Sequence, residues 1–326
     1  MRRSGKLILL ISLIVLIIPV LFSNNILAIK LSRESTSNMV LIVDKNDDQY
    51  YNSIQKAIDD AEHGAFIYVK NGEYNEIINV NKKISLYGED KKCTLINPIS
   101  EKNKYAVRLG AQDIKIEKMG IKNRAPGLYS TGIKVEASNC VINNCEIFDT
   151  PVGIAVWASE TTIKNSNFVN CKDEGIAFLG WKGHECNDNI VLNCDFFNNC
   201  DGIELQYSSN NIIEKCSFSD NTHSGIDAIA SSNNNNKIIE CEIINNKVNG
   251  IYFASSSNNE IVDCELKNNN NGNIKMNKNS YNNNIIFSKK DNQNDDKNLK
   301  SIYSFLNQIK DIENSKISKI LSSLNF

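Results

Sequence analysis

Between residues 130 and 275 a Gly-Ile pair recurs, at Gly132, Gly153, Gly175, Gly202, Gly225 and Gly250, and a degenerate Gly272-Asn273-Ile274 closes the series. The intervals are 21, 22, 27, 23, 25 and 22 residues. Each pair opens an alternating apolar strand, followed by a turn rich in Ser and Asn, a second short apolar strand, and a Cys or similar residue. A period of about 20–30 residues built from short β-like segments marks a solenoid, because one coil cannot bury its own apolar face and a core forms only when coils stack. Leucine-rich repeats share the period, but their leucine framework is missing here. Ile, Val and Phe take its place, as stacked strands prefer. The pattern predicts an all-β chain wound as a parallel β-helix.

The second strand is as regular as the first. Val141-Ile142 precedes Cys145, Ile190-Val191 precedes Cys194, Ile212-Ile213 precedes Cys216, Ile238-Ile239 precedes Cys241 and Ile261-Val262 precedes Cys264; Ser166 and Met119 hold the same place in their coils. Stacked at the interstrand spacing of about 4.8 Å, these residues form one internal column, in which a thiol serves as a small hydrophobe. Neighbouring coils bring the sulfurs close, yet their parallel side-chain vectors disfavour disulfides. Asn crowds the turns, at Asn143-Asn144, Asn210-Asn211, Asn233 to Asn236, Asn258-Asn259 and Asn268 to Asn271. Asn tolerates the left-handed backbone of a tight corner, and stacked amides can hydrogen-bond from coil to coil.

Residues 1–29 read as a signal peptide or an N-terminal membrane anchor. Arg2, Arg3 and Lys6 precede an apolar run from Leu7 to Phe22, and polar Ser23-Asn24-Asn25 lead to a small Ala28. Cleavage gives a secreted protein, and an uncleaved run through Ile29 gives one anchored at the cell surface. The 326 residues carry 36 basic and 38 acidic side chains with the signs intermixed, which supplies no basic footprint for nucleic acid. Ile54, Ala57, Ile58 and Ala61 follow helical spacing after Asn52, with Gln55 placed as in a capping box, and predict a short helix plugging the first coil. The β-helix is expected over residues 40–288 and a polar linker over 289–297. Leu299, Ile302, Leu306 and Ile309 begin an amphipathic helical tail over 298–326, which caps the last coil or docks on a partner or membrane surface.

The runs Tyr51 to Ile58, Ile67-Tyr68-Val69 with Gly72-Glu73-Tyr74 and Glu76, and Lys83 to Gly88 resemble the opening of pectin-lyase-like proteins, whose fold is a right-handed parallel β-helix. Asn249 to Asn259 resembles the repeat of NosD-like surface proteins. The resemblance spans residues 45–288. It implies the fold and leaves the activity open, since such relatives include esterases, lyases, hydrolases, epimerases and proteins with no known reaction. No complete signature of the pectin methylesterase, polygalacturonase or pectate lyase families is visible. Copper handling, which the NosD resemblance raises, gains nothing from three His and four Met that form no paired ligand spacing.

Enzymes of the superfamily hold their substrate groove on an exposed sheet face. With each Ile of the Gly-Ile pairs inward, the next residue points out, giving the column Lys134, Ala155, Ala177, Glu204, Asp227, Tyr252 and Lys275. Glu204 and Asp227 then stand on adjacent coils, where mutual repulsion raises one pKa and suits that carboxyl for acid/base work. Asp201 joins them from the preceding turn. The 27-residue coil places its excess at Gly180 to Glu185, which would carry Lys182 and His184 toward the same face as assisting groups. Trp157, Trp181, Tyr207 and Tyr252 are the candidates for stacking on sugar rings. His223 lies just before the strand that bears Asp227. After Arg33 the only arginines are Arg108 and Arg124, outside this region, so a lyase here would need Lys182 or a metal ion. Calcium stays open as a cofactor, and no residue is assigned as a metal ligand.

The function expected is that of an extracellular or cell-surface β-helix protein that binds envelope or environmental polysaccharide, or that serves as a structural surface module. The alternative is a polysaccharide lyase, hydrolase or epimerase using the carboxylate pair. The sugar and the oligomeric state stay open.

Overall fold

The structure, a computed structural model, describes residues 39–287 except 99, 100, 103, 128, 230 and 231. The signal peptide or anchor, the linker and the helical tail expected from the sequence lie outside the described residues. No helix among the described residues is long and apolar enough to cross a membrane.

The chain visits three parallel sheets in turn. Sheet A has eleven strands, from Val40–Val43 to Asn284–Ile286; sheet B has nine, from Gly72–Tyr74 to Glu265–Lys267; sheet C has nine, from Ile78–Val80 to Ile274–Met276. One coil runs through Val141–Asn143, Glu146–Phe148 and Val152–Val156, and the next through Thr162–Lys164, Asn167–Val169 and Glu174–Leu179. The expected strand period is therefore a coil period, with one strand of every coil in each sheet.

Corners explain the Asn content. Of the non-glycine residues with positive φ among those described, twelve are Asn and five are Asp, the residues that enter the left-handed region at least cost. Asn144, Asn165, Asn193, Lys215, Glu240 and Asp263 turn sheet A into sheet B, each as a single left-handed residue. The residue after each of them points inward. These are Cys145, Ser166, Cys194, Cys216, Cys241 and Cys264, all buried, so the predicted column exists. Their polar atoms bond locally: the Cys241 thiol donates to Ile239 O at 3.3 Å and the Cys216 thiol to Glu214 O at 3.2 Å. Cys140 and Cys186 occupy the corner before sheet A, and Cys171 the corner before sheet C, positions the column alone does not foretell. All ten cysteines are free thiols.

The other two corners carry internal amide ladders. Asn189 donates to Asn211 at 3.0 Å and Asn211 to Asn236 at 2.9 Å; Asn199 donates to Asn221, Asn221 to Asn246 and Asn246 to Asn269 at 3.1, 2.9 and 2.9 Å. Each amide oxygen also accepts the backbone N–H of the Asn one coil below, as in Asn199 N to Asn221 Oδ1 at 3.0 Å. A buried amide without partners costs about 1–3 kcal/mol, and the ladder removes that cost by repetition. Beside it Phe168, Phe196 and Phe218 stack with centroids 4.7 and 4.6 Å apart.

The helix Ile54–Asp60 buries Ile54, Ala57 and Ile58 against the same core. Its N-cap is Ser53, not Asn52, and the Ser53 side chain accepts from Lys56 N. Gln55 does not close a capping box. Its side chain instead accepts from Asn79 N at 2.6 Å, while Glu76 accepts from Ile54 N and Gln55 N. A carboxylate from a neighbouring segment thus completes the Ser53 cap.

Candidate functional site

Sheet C forms the site, and its register is the one the sequence implies. Lys134 pairs with Ala155, Ala155 with Ala177, Ala177 with Glu204, Glu204 with Asp227, Asp227 with Tyr252 and Tyr252 with Lys275. A second outward row lies three residues earlier, on the far side of the recurring glycine. Val152 and Ala155, three apart, share one small cluster with Ala177. In a plain strand residues three apart face opposite ways, so the glycine absorbs the extra residue. Gly202 must be glycine for this, since a Cβ there would lie 2.5 Å from Gly225 O. The second row contains Glu174 and Asp201, themselves register partners.

The two rows assemble an acidic group that the sequence reading captured only in part. Asp201, Glu204 and Asp227 were expected. Glu174 was not, although Glu174-Gly175-Ile176 repeats the pattern of Asp201-Gly202-Ile203 and carries the signal. Glu174, Asp201 and Asp227 are buried and Glu204 is half-buried. His223 joins them, its Nδ1 lying 2.8 Å from Asp201 Oδ1 and 3.5 Å from Asp227 Oδ2. Ser224 N donates to the same Asp201 oxygen at 2.7 Å.

Burial and mutual repulsion push these carboxyls toward their protonated forms. Burial raises Asp227 to about 7, with the Asp201 charge adding and His223 opposing. Glu204 rises through burial and then through Asp227, Asp201 and Asp173; Glu174 rises through burial, Glu204 and Asp173. Asp201 also rises through burial, against the pull of His223. Keeping Asp227 ionised at neutral pH costs on the order of a few kcal/mol. Among the described residues, one of its oxygens, Oδ1, is buried with no hydrogen-bond partner, as is Asn249 Oδ1 on the coil beyond.

Other expected residues are placed differently. Lys182 and His184 are exposed and, among the described residues, no hydrogen bond or ion pair joins either to the carboxylates. The loop closes on itself through Trp181 N to His184 O at 3.1 Å and His184 N to Trp181 O at 2.8 Å, with the two rings 4.8 Å apart. This self-pairing holds the loop as a small hairpin beyond the strand end. Trp157 stands one coil before Ala177, about 10 Å of strand spacing from the Glu204 coil. It packs with Leu179, Val152, Ala155 and Ala177, and Lys134 Nζ lies 4.6 Å from the ring centroid, so that ring is already partnered. Tyr207 closes its strand with a φ of 45°, a turn position. Tyr252, half-buried, is the aromatic that directly adjoins Asp227.

A family profile described as "Right handed beta helix region" matches residues 136–246. The fold is a pectin-lyase-like right-handed parallel β-helix. Solved structures agree: tailspike protein 2 of bacteriophage CBA120, enzymatically active domain, superposes at a TM-score of 0.52 with 16% identity, over 74% of this chain and 41% of that one. Geobacillus virus E2 ORF18 gives 0.51 and 15%, over 76% and 61%. The Aspergillus niger pectin methylesterase gives 0.50 and 15%, over 81% and 90%. The β-helix thus spans 41% and 61% of the two phage chains and nearly all of the esterase. No curated protein matches in sequence. The narrower resemblance to NosD-like repeats rests on Asn249 to Asn259 alone.

Proposed function

We propose that this protein acts on a polysaccharide laid across the outer face of sheet C, with Glu204 as the proton-exchanging group and Asp227 as its partner carboxylate. The observation that carries this is the register pairing of Glu204 with Asp227 on an outward face, crowded by Asp201 and Glu174, with His223 beside Asp227. A structural module has no use for such a group, which costs stability and gives no packing in return. Glu204 is the half-exposed member, held toward its protonated form by burial and then by the acids around it, and in that form it can donate a proton to a departing sugar oxygen. A pectin methylesterase and an enzymatically active tailspike domain share the fold, which makes a sugar polymer the first substrate class to test. Export or surface attachment, read from residues 1–29, belongs to the same proposal.

Glycan binding without turnover is the second reading, favoured by Tyr252, half-buried on the strand beside Asp227, whose ring can lie against a sugar. The test is incubation of the full chain with uronic-acid and neutral polysaccharides, scored for unsaturated products and for new reducing ends. Turnover lost in Glu204→Gln supports catalysis; retention of glycan without products supports the second reading.

A further inference from the structure

We propose that Asp201, His223 and Asp227 form a three-ligand site for a divalent first-row transition metal of the zinc or manganese class. The site stands on its own geometry and does not depend on the glycan reading. Asp201 opens its strand, Asp227 sits in the strand of the next coil, and His223 lies in the turn between, so the coil itself brings the three together. One donor atom from each falls within 4.8 Å of the others.

Spacing fits a shared ion. Metal–ligand bonds of about 2.1 Å meeting at angles between octahedral and tetrahedral put neighbouring donors about 3.0–3.4 Å apart. The imidazole Nδ1 lies 2.8 Å from Asp201 Oδ1, a hydrogen-bond distance, and 3.5 Å from Asp227 Oδ2, one just short of that range and one just beyond it, so shifts of a few tenths of an ångström would bring both onto a shared ion. The Asp227 side chain is 5% exposed, its Oδ2 faces His223, and its Oδ1 has no hydrogen-bond partner among the described residues, a deficit that a cation held by both oxygens of the carboxylate would relieve. The Asp201 carboxylate is oriented by Ser224 N, the kind of outer contact that fixes a ligand.

Charge points the same way. Asp173, Glu174 and Glu204 crowd the group, and the groups that act most strongly on Asp201, Glu204 and Asp227 are carboxylates and His223. Donor chemistry then selects the ion. One imidazole nitrogen with two carboxylates suits zinc or manganese, whereas calcium takes six to eight oxygens. Three protein ligands leave at least one position for water or a substrate oxygen. With a metal bound, Asp227 would be a ligand and Glu204 its neighbour on the adjoining strand.

The experiment is titration of the full chain, stripped with chelator and carrying Cys93→Ser to remove the one exposed thiol, with Zn2+, Mn2+ and Ca2+ in the absence of glycan. One equivalent of Zn2+ or Mn2+ should bind, Ca2+ should not compete, and His223→Gln and Asp227→Asn should each weaken binding by at least about 100-fold. Circular dichroism checks that both variants fold, and His223, 42% exposed, is the substitution least able to disturb folding. Absence of binding, binding unchanged in both variants, or equal affinity for Ca2+ would overturn the proposal. Because no glycan is present, these outcomes are separate from the fate of the glycan reading.

Discussion

Glu174 and Asp201 are register partners on neighbouring strands of sheet C, each immediately before a stacked glycine, and both are buried on the face that also bears Glu204 and Asp227. Acidic side chains are thereby set against one another by the coil repeat itself.

This placement gives a pH dependence of definite sign. The folded-state pKa of Glu174 is raised, chiefly by burial and then by Glu204 and Asp173, so the native state binds more protons than the unfolded chain. Its stabilising contribution is complete below the ordinary carboxylate pKa of about 4.3 and is lost as pH rises through the folded value. In chelator, Glu174→Gln should therefore melt a few degrees above wild type at pH 8, with the gap closing toward pH 4.5, as read by thermal denaturation.

The amide ladder predicts a large cost for a small deletion. Asn221→Ala removes the acceptor for Asn199 N and Nδ2 and one of the two donors to Asn246 Oδ1, leaving the buried Asn199 N–H unpaired and a gap in the ladder. Urea unfolding should show a loss of about 2–4 kcal/mol. Asn165→Asp keeps a residue that tolerates this left-handed corner, loses only the exposed amide contact to Asn143, and should cost less than about 1 kcal/mol.

Gly202→Ala should damage stability and site together. Its Cβ would meet Gly225 O and the Phe218 ring, both at 2.5 Å, so the coil must part just between Asp201 and Glu204. A loss of at least about 2 kcal/mol is expected in urea unfolding. Any turnover or metal binding should fall with it.

Thiol chemistry separates the column from the surface. Burial pushes Cys145, Cys171 and Cys186 up to about 12, while Cys93 is exposed. A colorimetric thiol reagent should label Cys93 rapidly in the native protein, half-buried Cys200 more slowly, and the eight buried cysteines only on unfolding. Cys93→Ser should abolish the fast phase.

Much of this was legible in the sequence because a solenoid repeats its local rules. The Gly-Ile spacing gave the coils, the apolar pairs before Cys145 and its equivalents gave the inward column, and alternation gave the Glu204–Asp227 register. What alternation missed lies where alternation fails. Glu174 faces outward only because Gly175 absorbs an extra residue, and a period of two assigns it to the wrong face. The loop at Trp181 to His184 carries no period, so nothing in the sequence tells that it pairs with itself instead of bending over the acids. The Ser53 cap depends on Glu76 from a neighbouring segment, which helix-local spacing does not encode.

The most direct measurement is product formation by the full chain on a panel of uronic-acid and neutral polysaccharides, with and without added divalent metal, compared with a Glu204→Gln variant that folds normally. The account predicts new reducing ends or unsaturated products from at least one polymer, reduced at least about 100-fold in the variant. Turnover unchanged in Glu204→Gln, or no product from any polymer under either condition, would contradict it.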